Sequence, residues 1–220
     1  MKTIAQRRFL LLQFLLIMAL GQAFAQYEPG EDYGSVTFID SHWDKNTRQV
    51  VTETKTDWMP IRKWSTGRTD FGARGKVTWY AIEGKRTDEA VKNGESNIST
   101  MEIMGEVHIV LLDGAVLSPH MGIYLEAPDV LHIHVQSKGD NQGKIIINKP
   151  GNYPAIGAHE YDFGELHIHG GYIDVTGGGR SSGIGTAAIE KDNPLDIIDF
   201  LLHKMGRVYV YDGTLKVHGG

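Results

Sequence analysis

The chain contains no cysteine. That excludes disulfides, thiol catalysis and zinc–thiolate sites, as well as the acylated cysteine of a bacterial lipoprotein. Stability must therefore come from packing and from strand hydrogen bonds. Positive charge is also scarce, with 22 Lys and Arg against 27 Asp and Glu. This balance argues against nucleic acid as a partner, because phosphate binding draws on clustered Lys and Arg. Nucleotide loops are missing too. The glycine-rich run at residues 177–185 fits neither G-x-G-x-x-G nor a P-loop, and it lacks the phased Asp of a calcium nonapeptide.

Long apolar runs are absent beyond the N-terminus. Lys2, Arg7 and Arg8 precede an apolar stretch at residues 9–20, interrupted by Gln13, and Ala23-Phe24-Ala25 follows as a cleavage site. This is the pattern of an export signal over residues 1–25, too short to span a bilayer, with Gln26 as the mature start. Removing its three basic residues takes the formal net charge from −5 to −8. The expected location is outside the cytoplasm: extracellular, cell surface or periplasm. The remaining length suits one domain with a sizeable core.

What is present is a repeated phrase. Residues 164–171 read GELHIHGG and residues 206–213 read GRVYVYDG, each followed by a second strand-like run ending in Gly-Gly. A looser copy precedes them, through Leu131, His132, Ile133, His134 and Val135 and then Gly143 to Asn148. Gly-Ile phrases recur at Ile123, Ile156 and Ile184, 33 and then 28 residues apart. Aliphatic and polar residues alternate within each copy, so Leu131, Ile133, Leu166, Ile168, Val208 and Val210 are expected to face one interior. The glycines suit tight corners with positive φ. This predicts an all-β protein: a right-handed parallel β-solenoid over residues 99–220, preceded by a linker and β cap region over residues 26–98.

Within the cap region, residues 35–40 and 49–54 read as a hairpin, residues 56–74 as loop and residues 76–82 as a strand. Trp43, Trp58, Trp64 and Trp79 are expected to pack in the cap, with a sugar-stacking platform as the lesser reading. Residues 195–205 read as one inserted helix, with Asn193 as N-cap, Pro194 at the first turn and Gly206 past the end. The sequence stops where another Gly-Ile phrase is due. Either the repeat domain is truncated, or its open end associates end to end or is covered by the inserted segment.

The alternating His and Tyr residues carry the chemistry. With the repeats in register, His132, His167 and Tyr209 form one outward column, and His134, His169 and Tyr211 form the next. A solvated strand face is the plainest reading. Contact with a sugar ring ranks next, since Tyr beside His suits half-wet recognition surfaces, and a transition metal ranks below it. These six residues are the candidate ligand-binding set. No catalytic residue, metal site or cofactor is expected. Asp162, Glu165, Asp174 and Asp212 fall near turns and read as turn-stabilising carboxylates rather than a catalytic pair.

The ordered set Trp79-Tyr80, Val107 to Leu112 with Asp113-Gly114, Met121-Gly122-Ile123, Ala155-Ile156-Gly157 and Gly183-Ile184-Gly185 resembles secreted β-solenoid repeat proteins of gut and oral bacteria. The resemblance covers roughly residues 35–220. It departs in carrying His where Thr or Asn is usual, and in the inserted helix-like segment. It implies a surface-associated, adhesin-like or carbohydrate-binding protein whose partner is a polysaccharide or a cell-surface molecule. The alternatives are a polysaccharide lyase or glycoside hydrolase on a β-helix, and a structural stalk without its own ligand.

Overall fold

The computed structural model describes residues 33–56, 61–63, 70–86, 100–148, 150–159, 162–187 and 206–220. The export signal, the helix expected at residues 195–205, Trp58 and Trp64 lie outside them. Among the described residues the protein is all-β, with no helix. In chain order the strands are β1 (Tyr33–Gly34), β2 (Phe38–Asp44), β3 (Gln49–Lys55), β4 (Ile61–Lys63), β5 (Asp70–Ile82), β6 (Lys85–Arg86), β7 (Met101–Leu111), β8 (Val116–Leu117) and β9 (Ile123–Tyr124). They continue with β10 (Val130–Val135), β11 (Lys144–Asn148), β12 (Ile156–Ala158), β13 (Glu165–Ile168), β14 (Tyr172–Thr176), β15 (Ile184–Thr186), β16 (Arg207–Val210) and β17 (Thr214–His218).

The larger sheet runs β1-β4-β5-β7-β10-β13-β16, with β2, β3, β9, β12 and β15 attached off this path. The smaller sheet, β17-β14-β11-β8-β6, is parallel throughout. The expected register of the repeats is present: Leu131 pairs with Leu166 and Leu166 with Val208, while Ile123 pairs with Ile156 and Ile156 with Ile184.

The expected right-handed parallel β-solenoid is nonetheless corrected. The larger sheet is mixed and curls into a half-barrel. β1 runs antiparallel to β4, β2 to β3, and β2 to β10. The local reason lies in strand length. β10 continues to Val135, whereas its pairing with β13 ends at Ile133 opposite Ile168. Val135 is thereby open to Ile39, and the β2–β3 hairpin joins from the side. The stretch expected as loop, residues 56–74, also contains β4 and the start of β5, Asp70 to Arg74. Trp79 is buried as expected, but Trp43 is 50% exposed.

The core lies on the inward side of the alternation. Val107, Leu131 and Leu166 form one column and Ile109, Ile133 and Ile168 the next, all fully buried. Ile145, Ile147, Ile173 and Val175 of the smaller sheet join the same cluster. Each such side chain contributes roughly 1.5–3 kcal/mol. The pattern weakens at β16, where Val208 and Val210 are 41% and 49% exposed rather than interior. β16 is the last strand of its ladder among the described residues, so no further strand covers them. Gly157 is required by close approach: a Cβ there would lie 1.7 Å from the carbonyl oxygen of Gly185, at a φ of +154°.

Candidate functional site

The outward side of β5, β7, β10, β13 and β16 carries a continuous ladder of rings. Trp79 pairs with His108, His108 with His132, His132 with His167, and His167 with Tyr209. The ring centroids are 3.9, 4.1, 4.4 and 4.6 Å apart in that order, tilted by 9°, 7°, 17° and 21°. In-register parallel strands sit about 4.8 Å apart, which nearly matches the spacing of stacked aromatic rings. One repeated position therefore becomes one stack. A second row runs beside it: His134 stacks on His169 at 4.1 Å, and His169 meets Tyr211 at 5.1 Å. The six candidates named from sequence are thus brought together.

Their environment differs from the expected outward face. His134 is 1% exposed, and His169 and His108 are also buried. The β2–β3 hairpin supplies part of the cover. Phe38 places its ring 5.1 Å from both His134 and Trp79. Asp40 points a carboxylate at the second row, 3.1 Å from His169 Nδ1 and 3.7 Å from His134 Nδ1. Lys55 Nζ donates to the other oxygen of Asp40. His42 Nδ1 stands 3.5 Å from that same oxygen.

Hydrogen bonds cross between the two rows. His108 bonds Glu106 through Nε2 at 3.0 Å and His134 through Nδ1 at 3.1 Å. His132 Nδ1 and His169 Nε2 are 2.9 Å apart, and His169 Nδ1 lies 2.7 Å from the carbonyl oxygen of Ser41. His167 bonds Glu165 at 3.3 Å and the Tyr211 hydroxyl at 3.0 Å.

Burial fixes the protonation states. It lowers His108 to about 4, against the help of Glu106, and pushes His134 and His132 far below the ordinary imidazole range. Burial lowers His167 as well, with Glu165 opposing. For Asp40, burial raises the carboxyl, but hydrogen bonds from His169 and Lys55 and the fields of His134 and His169 outweigh it. Asp40 is held well below the usual carboxylate range.

Neutral imidazoles carry one N–H each, so the tautomers follow from the ends. An ionised Glu106 only accepts, and so His108 Nε2 donates to it. His108 Nδ1 then accepts, and His134 Nε2 donates. His134 Nδ1 is left as a bare lone pair, buried, with no hydrogen-bond partner and with Asp40 ahead of it. Beside it, the Ser41 carbonyl oxygen and Asp40 Oδ1 both accept from His169 Nδ1–H, so His169 Nε2 accepts and His132 Nδ1 donates to it.

Three sets of ligand atoms lie within 4.8 Å of one another: His108, His132 and His134; His132, His167 and His169; and Asp40, His134 and His169. Of the other carboxylates, Asp212 accepts from Gly213 N and Ser41, and Asp174 accepts from the Tyr172 hydroxyl at 2.9 Å. Sequence reasoning missed Asp40, Glu106 and His108 as members of the site, and placed Trp79 in the cap first. His108 had a signal, since Val107, His108 and Ile109 repeat the Leu131, His132, Ile133 phrase.

At the other end of the ladder, Tyr209 and Tyr211 lie side by side, 6.4 Å apart and parallel within 4°. Their inner faces meet His167 and His169. Arg207 reaches Glu165 at 3.5 Å. Glu165 and Arg207 also line a concavity of about 610 Å³ with Pro128, Val130 and Phe163.

Comparison of the chain with protein-family models, curated proteins and solved structures gave no match. Fold and site together define an all-β protein built around a stacked imidazole–aromatic ladder, covered at one end by a hairpin.

Proposed function

We propose that this is an exported, surface-associated binding protein, and that its ligand is a polysaccharide or a cell-surface glycan. The observation that carries this reading is the Tyr209–Tyr211 pair. Two parallel phenol rings, half-buried and backed by stacked histidines, form a flat platform at the end of the ladder, Tyr209 on β16 and Tyr211 just past it. Sugars present an apolar C–H face that packs on such rings while their hydroxyls bond nearby polar groups. Glu165 and Arg207, beside a concavity, supply an acceptor and a donor for those hydroxyls. The signal-like residues 1–25, the resemblance to secreted bacterial repeat proteins and the acidic mature charge support export and a partner other than nucleic acid.

The experiment is a glycan array on the chain from Gln26, followed by calorimetry with the best ligand. Tyr209→Ala and Tyr211→Ala are each expected to weaken binding about tenfold or more, the loss of roughly 1.4 kcal/mol of contact. Undiminished binding by the double variant, or no glycan bound by the parent protein, overturns the proposal.

A further inference from the structure

The covered end of the ladder points to a different ligand. We propose that Asp40 Oδ1, His134 Nδ1 and His169 Nδ1 form a binding site for one divalent first-row transition ion of the imidazole-preferring kind, such as zinc.

Three observations carry this. The first is the lone pair on His134. Its Nδ1 is buried and has no hydrogen-bond partner, and it faces a carboxylate oxygen 3.7 Å away. Two acceptors turned toward each other in a buried space repel unless a cation lies between them. A cation coordinated by both removes that conflict.

The second is spacing. Metal–ligand bonds of 2.0–2.1 Å in a tetrahedron place neighbouring ligand atoms about 3.3 Å apart. Asp40 Oδ1 is 3.1 Å from His169 Nδ1 and 3.7 Å from His134 Nδ1, which bracket this value. The two imidazoles stack within 14°, so their lone pairs run side by side and the rings must splay slightly to converge on one ion. The Ser41 carbonyl oxygen, 2.7 Å from His169 Nδ1, stands near enough to join as a further ligand.

The third is the outer support. Metal-bound histidines commonly hand their other N–H to a fixed acceptor, and that partner orients the ring. His134 Nε2 already donates to His108 Nδ1, which is anchored on Glu106. Binding at His169 Nδ1 requires its proton to sit on Nε2 instead. His169 then donates to His132 Nδ1, and the displaced proton moves to His132 Nε2, which faces Glu106 at 3.8 Å. No proton is gained or lost, and both chains now run from the ion outward to Glu106. One carboxylate and two neutral nitrogens suit zinc, nickel or copper rather than calcium or magnesium, which prefer all-oxygen shells.

This site does not use the Tyr209–Tyr211 platform, so each proposal survives failure of the other. The test uses the chain from Gln26 after chelator treatment, titrated with zinc by calorimetry and with cobalt(II) by visible absorption. One ion per chain is expected, with the cobalt bands of a low-coordinate nitrogen–oxygen site. Asp40→Asn, nearly isosteric, and His169→Gln are each expected to weaken zinc at least about tenfold and to bleach the cobalt bands. His218→Gln, in the exposed last strand, is expected to leave both unchanged. Circular dichroism identifies a variant that fails to fold, and Asp40→Asn then carries the test. No binding at millimolar zinc, or unchanged affinity in the Asp40 variant, overturns the proposal.

Discussion

The two faces of β7, β10 and β13 share one backbone and one register, yet they are built on opposite principles. Inward, Val107, Ile109, Leu131, Ile133, Leu166 and Ile168 form aliphatic columns that need only volume and burial. Outward, His108, His132 and His167 form a column in which ring orientation, tautomer and hydrogen-bond partners must all agree. The inner face sets the register, and the outer face inherits its stacking from it. The cleanest way to break the comparison is therefore from the inside. Ile133→Ala leaves a cavity in the column and is expected to cost about 2–5 kcal/mol, read from the urea midpoint. If stacking on the outer face set the register instead, the cost would be small and the near-ultraviolet ring signals would persist.

The outer face differs in its response to acid. Burial lowers His108 to about 4 and lowers His132, His134 and His167 as well. An unfolded imidazole takes up a proton near pH 6.5, before the folded one does. Stability is therefore full above about pH 6.5 and falls as pH drops toward 4, on the order of 1.4 kcal/mol per pH unit for each such group. Asp40, with its carboxyl depressed, adds a further loss of the same sign once pH falls below its ordinary value. Urea midpoints between pH 7.5 and 4.5 would measure the slope. His108→Gln is expected to flatten it, and a flat profile in the parent protein would show that the ladder is not held neutral.

How much of this was legible depended on range. The alternation in residues 131–135 and 164–171 placed Leu131 and Ile133 inside, and the repeated phrase placed His132 over His167 and His134 beside His169. Those are properties of period and register, which a sequence displays. The cover was not legible. His169 meets Ser41 across 128 positions, and nothing local in residues 38–44 announces that they will lie antiparallel against β10. The hairpin was anticipated from its alternation, though its first strand is Phe38–Asp44 rather than residues 35–40, and it docks where β10 runs on past its pairing with β13, Val135 opposite Ile39. The same gap explains the reading of the histidines as a solvated face. Alternation says which side of a strand a residue occupies and is silent about what packs on that side.

The smallest expected effect comes from the other end of the ladder. Tyr209 and Tyr211 occupy the positions that His167 and His169 occupy one strand earlier, so the sequence treats them as equivalents. Their surroundings are unequal. His169 is buried, with Asp40 and Ser41 against it, whereas Tyr209 and Tyr211 are half-buried beside exposed Val208 and Val210. His169→Ala strips the donor from the Ser41 carbonyl and the acceptor from His132, and is expected to cost about 1–3 kcal/mol. Tyr209→Ala removes one stacked face at a half-buried position, and is expected to cost less than about 1 kcal/mol. Thermal denaturation of the two variants side by side would measure the difference. Equal losses would mean that the ladder behaves as one cooperative column to its last ring. A clear gap would mean that rigidity ends at β13 and that the tyrosine pair is held loosely enough for a ligand to make the next rung.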